Sequence, residues 1–144
     1  MPILLVEDDE VDVENVIRAF SENGIANPLF VAHHGEEALE LLRRGAAGDP
    51  HPQPLRPGLI LLDINMPIMN GIELLARLKQ DAELCTIPVV ILTTSQEESD
   101  RNESFRHSAA GYIIKPVEYS EFVEVVRVVD RYWSLCETSG GGHD

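Results

Sequence analysis

Four short apolar runs in the sequence each lead directly into residues that can do phosphoryl or metal chemistry. Ile3–Val6 is followed by Glu7, Asp8 and Asp9, and Leu59–Leu62 by Asp63. Val89–Leu92 is followed by Thr93, Thr94 and Ser95, and Tyr112–Ile114 by Lys115 and Pro116. Hydrophobicity that is continuous rather than alternating means burial on both faces, as in a parallel sheet covered by helices. Such sheets work at the carboxyl ends of their strands. Carboxylates, a hydroxyl and an ammonium therefore arrive together at one rim. Carboxylates gathered within a few ångströms repel one another unless a cation lies among them. Donors that are all oxygen, with no His or Cys, point to Mg²⁺. A carboxylate beside that metal, a lysine and a hydroxyl is equipped to accept a phosphoryl group. The carboxylate is the nucleophile, while metal and ammonium neutralise the equatorial oxygens.

The elements that must hold these residues are legible around them. A fifth apolar run, Leu29–Ala32, completes the set of strands. Between the runs lie stripes of helical period: Val13, Val16, Ile17 and Phe20; Ala38, Leu41 and Leu42; Leu74, Leu75 and Leu78. Asn70 with Glu73, and Ser95 with Glu98, stand at capping-box spacing and predict helix starts. A polar fourth helix near Glu98–Ser108 has only Phe105 to bury. Strict alternation of five strands and five helices predicts a doubly wound α/β domain. Gly45–Gly58 contains four prolines and is expected to be a surface loop. The last helix is expected to fade near Cys136, leaving Glu137–Asp144 as a flexible tail too short for an output domain.

Composition bounds the function. The chain has 144 residues, one domain's worth, with 11 Lys+Arg against 25 Asp+Glu, a net charge of −14 and a hydrophobic fraction of 44%. The hydrophobic share excludes an acidic disordered chain. The charge argues against direct nucleic-acid binding, which needs a basic surface, and favours a basic partner or a multivalent cation. No apolar run approaches the roughly 20 residues that span a bilayer, and the first residues lack a basic signal-peptide region. Cys85 and Cys136 lie far apart without metal-type spacing, so a reduced, cytoplasmic chain with both as small core residues is expected.

The pieces LLVEDD (Leu4–Asp9), LLDINMPIMNG (Leu61–Gly71), VVILTTS (Val89–Ser95) and GYIIKP (Gly111–Pro116), in this order and spacing, resemble the receiver domain of two-component response regulators. The resemblance covers roughly residues 2–136, within a domain expected over 1–136, and implies a flavodoxin-like sheet of order 2-1-3-4-5. It implies that Asp63 is the phosphoacceptor of a histidine kinase. Asp8 would bind Mg²⁺ directly, Glu7 would hold it through water, and Asn65 would supply a backbone carbonyl. Thr93 would hydrogen-bond the phosphoryl oxygens, Lys115 would pair with them, and Tyr112 would be the switch aromatic that moves with Thr93. The Lys115–Pro116 bond would be cis. Glu7 departs from the more usual Asp while keeping the charge. The Pro-rich excursion, ILTTS and the terminal Arg131-Tyr132-Trp133 are similar to stand-alone regulators paired with phytochrome-type sensor kinases. Such a chain would catalyse only its own phosphorylation and slow dephosphorylation, and would pass its signal on by protein contact or phosphotransfer.

Plainer roles compete at several positions. Asp9 suits the N-cap of the first helix, and Thr94 and Ser95 the start of the fourth. Lys115 suits a resting counter-ion for Asp63, and His33 and His34 exposed loop positions. The acidic run Glu7–Glu14 is partly site and partly solvated helix face. Two other function classes remain open. An aspartate-nucleophile phosphohydrolase would need a second acid two residues after Asp63, where Asn65 stands. A flavin or nucleotide binder would need a phosphate cradle after the first strand, where three acids stand. On the last helix, Phe122, Val126, Val129, Trp133 and Cys136 form one stripe, with Val125, Val128, Tyr132 and Leu135 beside it. Together they widen the apolar arc to roughly 180°, against about 100° for an ordinary surface helix. Unless the fourth helix covers it, that second stripe predicts a homodimer interface, on the face that receivers often use for dimerisation.

Overall fold

The computed structural model describes residues 1–140, with side chains as far as residue 134. Five parallel strands, β1 (Ile3–Val6), β2 (Leu29–Ala32), β3 (Leu59–Leu62), β4 (Val89–Thr93) and β5 (Gly111–Ile114), form one sheet in the order β2-β1-β3-β4-β5. Helices α1 (Glu10–Glu22), α2 (Gly35–Arg43), α3 (Gly71–Gln80), α4 (Glu98–Arg106) and α5 (Tyr119–Gly140) alternate with them. This is the doubly wound α/β fold that the alternation of elements predicts, in the strand order that the resemblance implies.

The chain divides into two compact units, the first containing residues 1–13 and 27–115, the second residues 14–26 and those from Pro116 on. In the first, β1 and β3 are buried along their whole length, as their unbroken apolar runs require. The edge strands β2 and β5 are only partly buried. Leu39 and Leu42 of α2 and Leu74, Leu75 and Leu78 of α3 join Leu4, Val6, Ile60 and Leu62 in a single apolar cluster. The expected stripe on α2 shifts slightly, with Leu39 buried and Leu41 half-buried. In the second unit Val16, Ala19, Phe20, Phe122 and Val126 are buried, while Ile17 is exposed. Asn23 Nδ2 donates to the carbonyls of Ala19 (2.8 Å) and Val123 (3.1 Å), tying the end of α1 to α5. The Arg18 guanidinium lies 4.2 Å from the Tyr119 ring centroid.

Local signals succeed at α3 and fail at α4. Asn70 and Glu73 form the predicted capping box. Ser95 is not a cap: the N-cap of α4 is Glu97, without a side-chain hydrogen bond, and Ser95 Oγ instead donates to Asp100 Oδ2 at 2.6 Å. The strand runs one residue longer than expected, to Thr93, so Ser95 is spent in the connection. All described peptide bonds are trans, including Lys115–Pro116, contrary to the expected cis bond; trans is the form X–Pro bonds intrinsically favour. Cys85 is half-exposed rather than a core residue, because it sits in the turn after α3, where its backbone N–H donates to Asp81. Helix α5 continues to Gly140, past Cys136, since Glu137, Thr138 and Ser139 contain no helix breaker. The side chains of Leu135 and Cys136, and residues 141–144 of the expected tail, lie outside the described residues.

Candidate functional site

Strand register brings the acids together. Val6 pairs with Leu62, and Leu62 with Ile91, so the residues leaving these strands emerge side by side. The Asp63 N–H donates to the Val6 carbonyl (3.1 Å) and the Glu7 N–H to the Ala32 carbonyl (2.9 Å), fixing both backbones to neighbouring strands. The turn below Asp63 is tight. Gly71 N–H donates to the Ile64 carbonyl at 2.9 Å, and a Cβ on Gly71 would stand 2.2 Å from the Asp63 carbonyl oxygen. Only glycine allows that approach. In the same turn Ile68, 94% exposed, adopts φ +68°, a conformation β-branched residues rarely take.

Glu7 and Asp63 are 1% and 6% exposed, Asp8 is exposed, and one carboxylate oxygen from each lies within 4.8 Å of the others. The buried Lys115 ammonium ion-pairs with Glu7, sits 2.9 Å from Asp12 Oδ2 and is 4.0 Å from Asp63 Oδ2. Asp63 Oδ1 is buried and accepts no hydrogen bond from the described residues. Burial pushes the Glu7 carboxyl up to about 7, against the pull of Lys115, with the Asp63 charge adding to the rise. Burial alone would lower the Lys115 ammonium, but its hydrogen bonds to Glu7 and Asp12 leave it raised. A buried carboxylate oxygen lacking a donor, beside two further carboxylates, is the arrangement a divalent cation completes. Oxygen-only donors fit Mg²⁺ or Mn²⁺, not zinc.

An open cleft of about 560 Å³ lies over these groups, lined among others by Asp8, Asp63, Asn65, Thr94 and Lys115. The Thr93 hydroxyl is fully buried beside it and accepts a hydrogen bond from the Ser95 N–H (3.2 Å). Half-buried Tyr112 donates through its hydroxyl to the Ser95 carbonyl at 3.0 Å. Ser95 therefore links the two expected switch residues through its backbone. Asp9 caps α1: its Oδ1 accepts from the N–H of Val11 (2.9 Å) and of Asp12 (3.2 Å). His34 caps α2 through Nδ1, and the His33 ring lies between Glu10 (3.1 Å) and Glu37 (3.3 Å). Thr94, which the sequence offers as a helix-start hydroxyl, lines the cleft instead. Asp12 was not singled out in the sequence, where it is one acid in a run of them.

Comparison with known proteins agrees with this architecture. Residues 3–127 match the response regulator receiver domain. Response regulator Rcp1 of Synechocystis sp. is 34% identical over 131 residues, covering 91% of this chain and 87% of Rcp1. The probable methanogenesis regulatory protein FilR2 of Methanothrix harundinacea is 32% identical over 139 residues, covering 96% and 87%. The phosphorylated cyanobacterial phytochrome response regulator RcpA superposes with a TM-score of 0.82 at 33% identity, covering 92% of both chains. The Mn²⁺-bound form of Rcp1 superposes with a TM-score of 0.80 at 33% identity, covering 92% of this chain and 93% of Rcp1. Fold, site and relatives agree: the chain belongs to the response regulator receiver domain family of phosphorelay signalling proteins.

Proposed function

We propose that this receiver is a phosphoacceptor switch in which Asp63 takes a phosphoryl group from a sensor histidine kinase. The observation that carries the reading is the buried Asp63 carboxylate, one oxygen without a donor, set between the Glu7–Asp8 acids and the Lys115 ammonium. An Asp63 oxygen attacks phosphorus, the P–N bond to the kinase histidine breaks, and its electron pair stays on the imidazole. Glu7, Asp8, Asp63 and the Asn65 carbonyl would hold Mg²⁺, which when bound neutralises charge on the phosphoryl oxygens. Lys115 pairs with those oxygens, and Thr93 turns its hydroxyl toward them, giving up its bond to the Ser95 N–H. Tyr112, held on the Ser95 carbonyl, moves with it. Asn65 cannot act as a proton donor, which favours a lasting acyl phosphate over phosphohydrolase turnover. The chain therefore catalyses its own phosphorylation and slow dephosphorylation only.

The likeness to RcpA and Rcp1 supports a phytochrome-type kinase as the donor. The net charge of −14 supports protein partners rather than nucleic acid or anionic membrane. A free, half-exposed Cys85 suits the reducing cytoplasm. On the second stripe of α5, the exposed Val128 and Tyr132 with half-buried Val125 support a homodimer. Incubation with Mg²⁺ and acetyl phosphate, read by intact mass, tests the switch. Wild type is expected to gain one phosphoryl group and Asp63→Asn none. Uptake by Asp63→Asn at the wild-type rate would make another residue the acceptor.

A further inference from the structure

Asp12 has no part in the mechanism above, yet its carboxylate is one of the two closest partners of the Lys115 ammonium. The contact is 2.9 Å, against 4.0 Å from the same nitrogen to Asp63. It joins residues 103 positions apart, from the first turn of α1 to the end of β5. The Lys115 side chain is 7% exposed and that of Asp12 32%, so the pair is screened less than a surface bridge. Of the three carboxylates around Lys115, Glu7 and Asp63 belong to the group that would take the cation. Asp12 does not. A cation on Glu7 and Asp63 would weaken their claim on the ammonium and leave Asp12 its principal partner among the described residues.

We propose that Asp12 is a positioning residue that holds Lys115 at the α1 side of the site, in competition with the phosphoryl group on Asp63. The inference rests on the phosphoacceptor reading of Asp63. The ammonium has three donor positions and a single charge. Whatever it gives to Asp12 is withheld from the phosphoryl oxygens. Asp12 therefore sets how strongly Lys115 neutralises the equatorial oxygens while phosphorus is under attack, and so how fast the phosphorylated form decays. Loss of phosphate is hydrolysis: a water oxygen attacks phosphorus, the P–O bond to Asp63 breaks, and its electron pair returns to the carboxylate. Phosphate leaves with the water oxygen, and a proton passes to solvent.

The test is the first-order loss of phosphate, followed by intact mass, after phosphorylation of the full chain with acetyl phosphate and Mg²⁺ and removal of the donor. Asp12→Asn is expected to speed the loss about three- to tenfold, the size of a partly buried ion pair. Asp12→Glu should restore the wild-type rate, because it returns the charge. In a Lys115→Met background Asp12→Asn should change nothing. A merely structural acid at the start of α1 would act equally in both backgrounds. Unchanged or slower loss in Asp12→Asn, or the same acceleration without Lys115, overturns the proposal. If Lys115→Met takes up too little phosphate to follow, melting of the metal-free variants decides. The effects of Asp12→Asn and Lys115→Met must then fall short of additivity, and additive effects overturn the pairing. Wild type that gains no phosphoryl group would instead sink the phosphoacceptor reading itself.

Discussion

Glu7 is the residue whose environment departs furthest from what its type implies. The sequence offers Glu7 as an acid that holds the cation through water, but here it is enclosed, and burial lifts its carboxyl from 4.5 to about 7. The folded chain thus holds the Glu7 proton more tightly than the unfolded chain does. Its stabilising contribution is complete below about pH 4.5 and is lost as pH rises through about 7. Melting of the metal-free protein across that window should show wild type losing stability relative to Glu7→Gln as pH rises. Parallel curves would mean that the Lys115 pair fully offsets the burial. At this scale the sequence showed residue types but not partners. Asp8, Asp63 and Lys115 were legible because each follows an apolar strand. The Lys115–Asp12 pair was not, since an acid in the first turn of a helix serves the helix dipole equally well.

The elements were more legible than the contacts. Runs such as Leu59–Leu62 can be buried on both faces only in a central strand, and Asn70 with Glu73 marks a helix start because both halves of the box find their donors there. The same spacing misled at Ser95, whose hydroxyl is claimed by Asp100. Capping spacing says what a serine can do, not whether the preceding strand leaves it free. The turn between β3 and α3 separates stability from site geometry. Asn70→Ala should cost about 1 kcal/mol, the usual loss of an N-cap, with phosphate uptake unchanged. Gly71→Ala drives a methyl into the Asp63 carbonyl and should cost about 1–3 kcal/mol while also slowing uptake, because the backbone that must shift carries the acceptor. Denaturant unfolding and acetyl phosphate uptake measure the two effects. Equal uptake in both variants would show that the turn can relax without moving Asp63.

At the scale of the whole molecule, the acid concentrated at one rim should make stability depend on a divalent cation. A ligand that binds only the native state stabilises it by mass action, about 2.7 kcal/mol at a hundredfold excess over its dissociation constant. Millimolar-scale Mg²⁺ should therefore raise the melting temperature, and Asp8→Asn should remove most of the rise. The second prediction at this scale is self-association. Phe122 and Val126 bury one stripe of α5, whereas Val128 and Tyr132 beside it are 59% and 65% exposed and Val125 is half-buried. Valine and tyrosine displayed one helical turn apart form the kind of patch that marks a protein contact. A second copy of the chain would bring the same apolar strip, with Glu121 as the one charge in its arc, to a two-fold interface. The net charge of −14 opposes any closer approach of the acidic remainder, so association should strengthen with ionic strength. Sedimentation at tens of micromolar, with and without phosphorylation, is expected to show a dimer for wild type and a monomer for the Val128→Glu/Tyr132→Glu double variant. A wild type that stays monomeric under both conditions would assign the strip to a different partner.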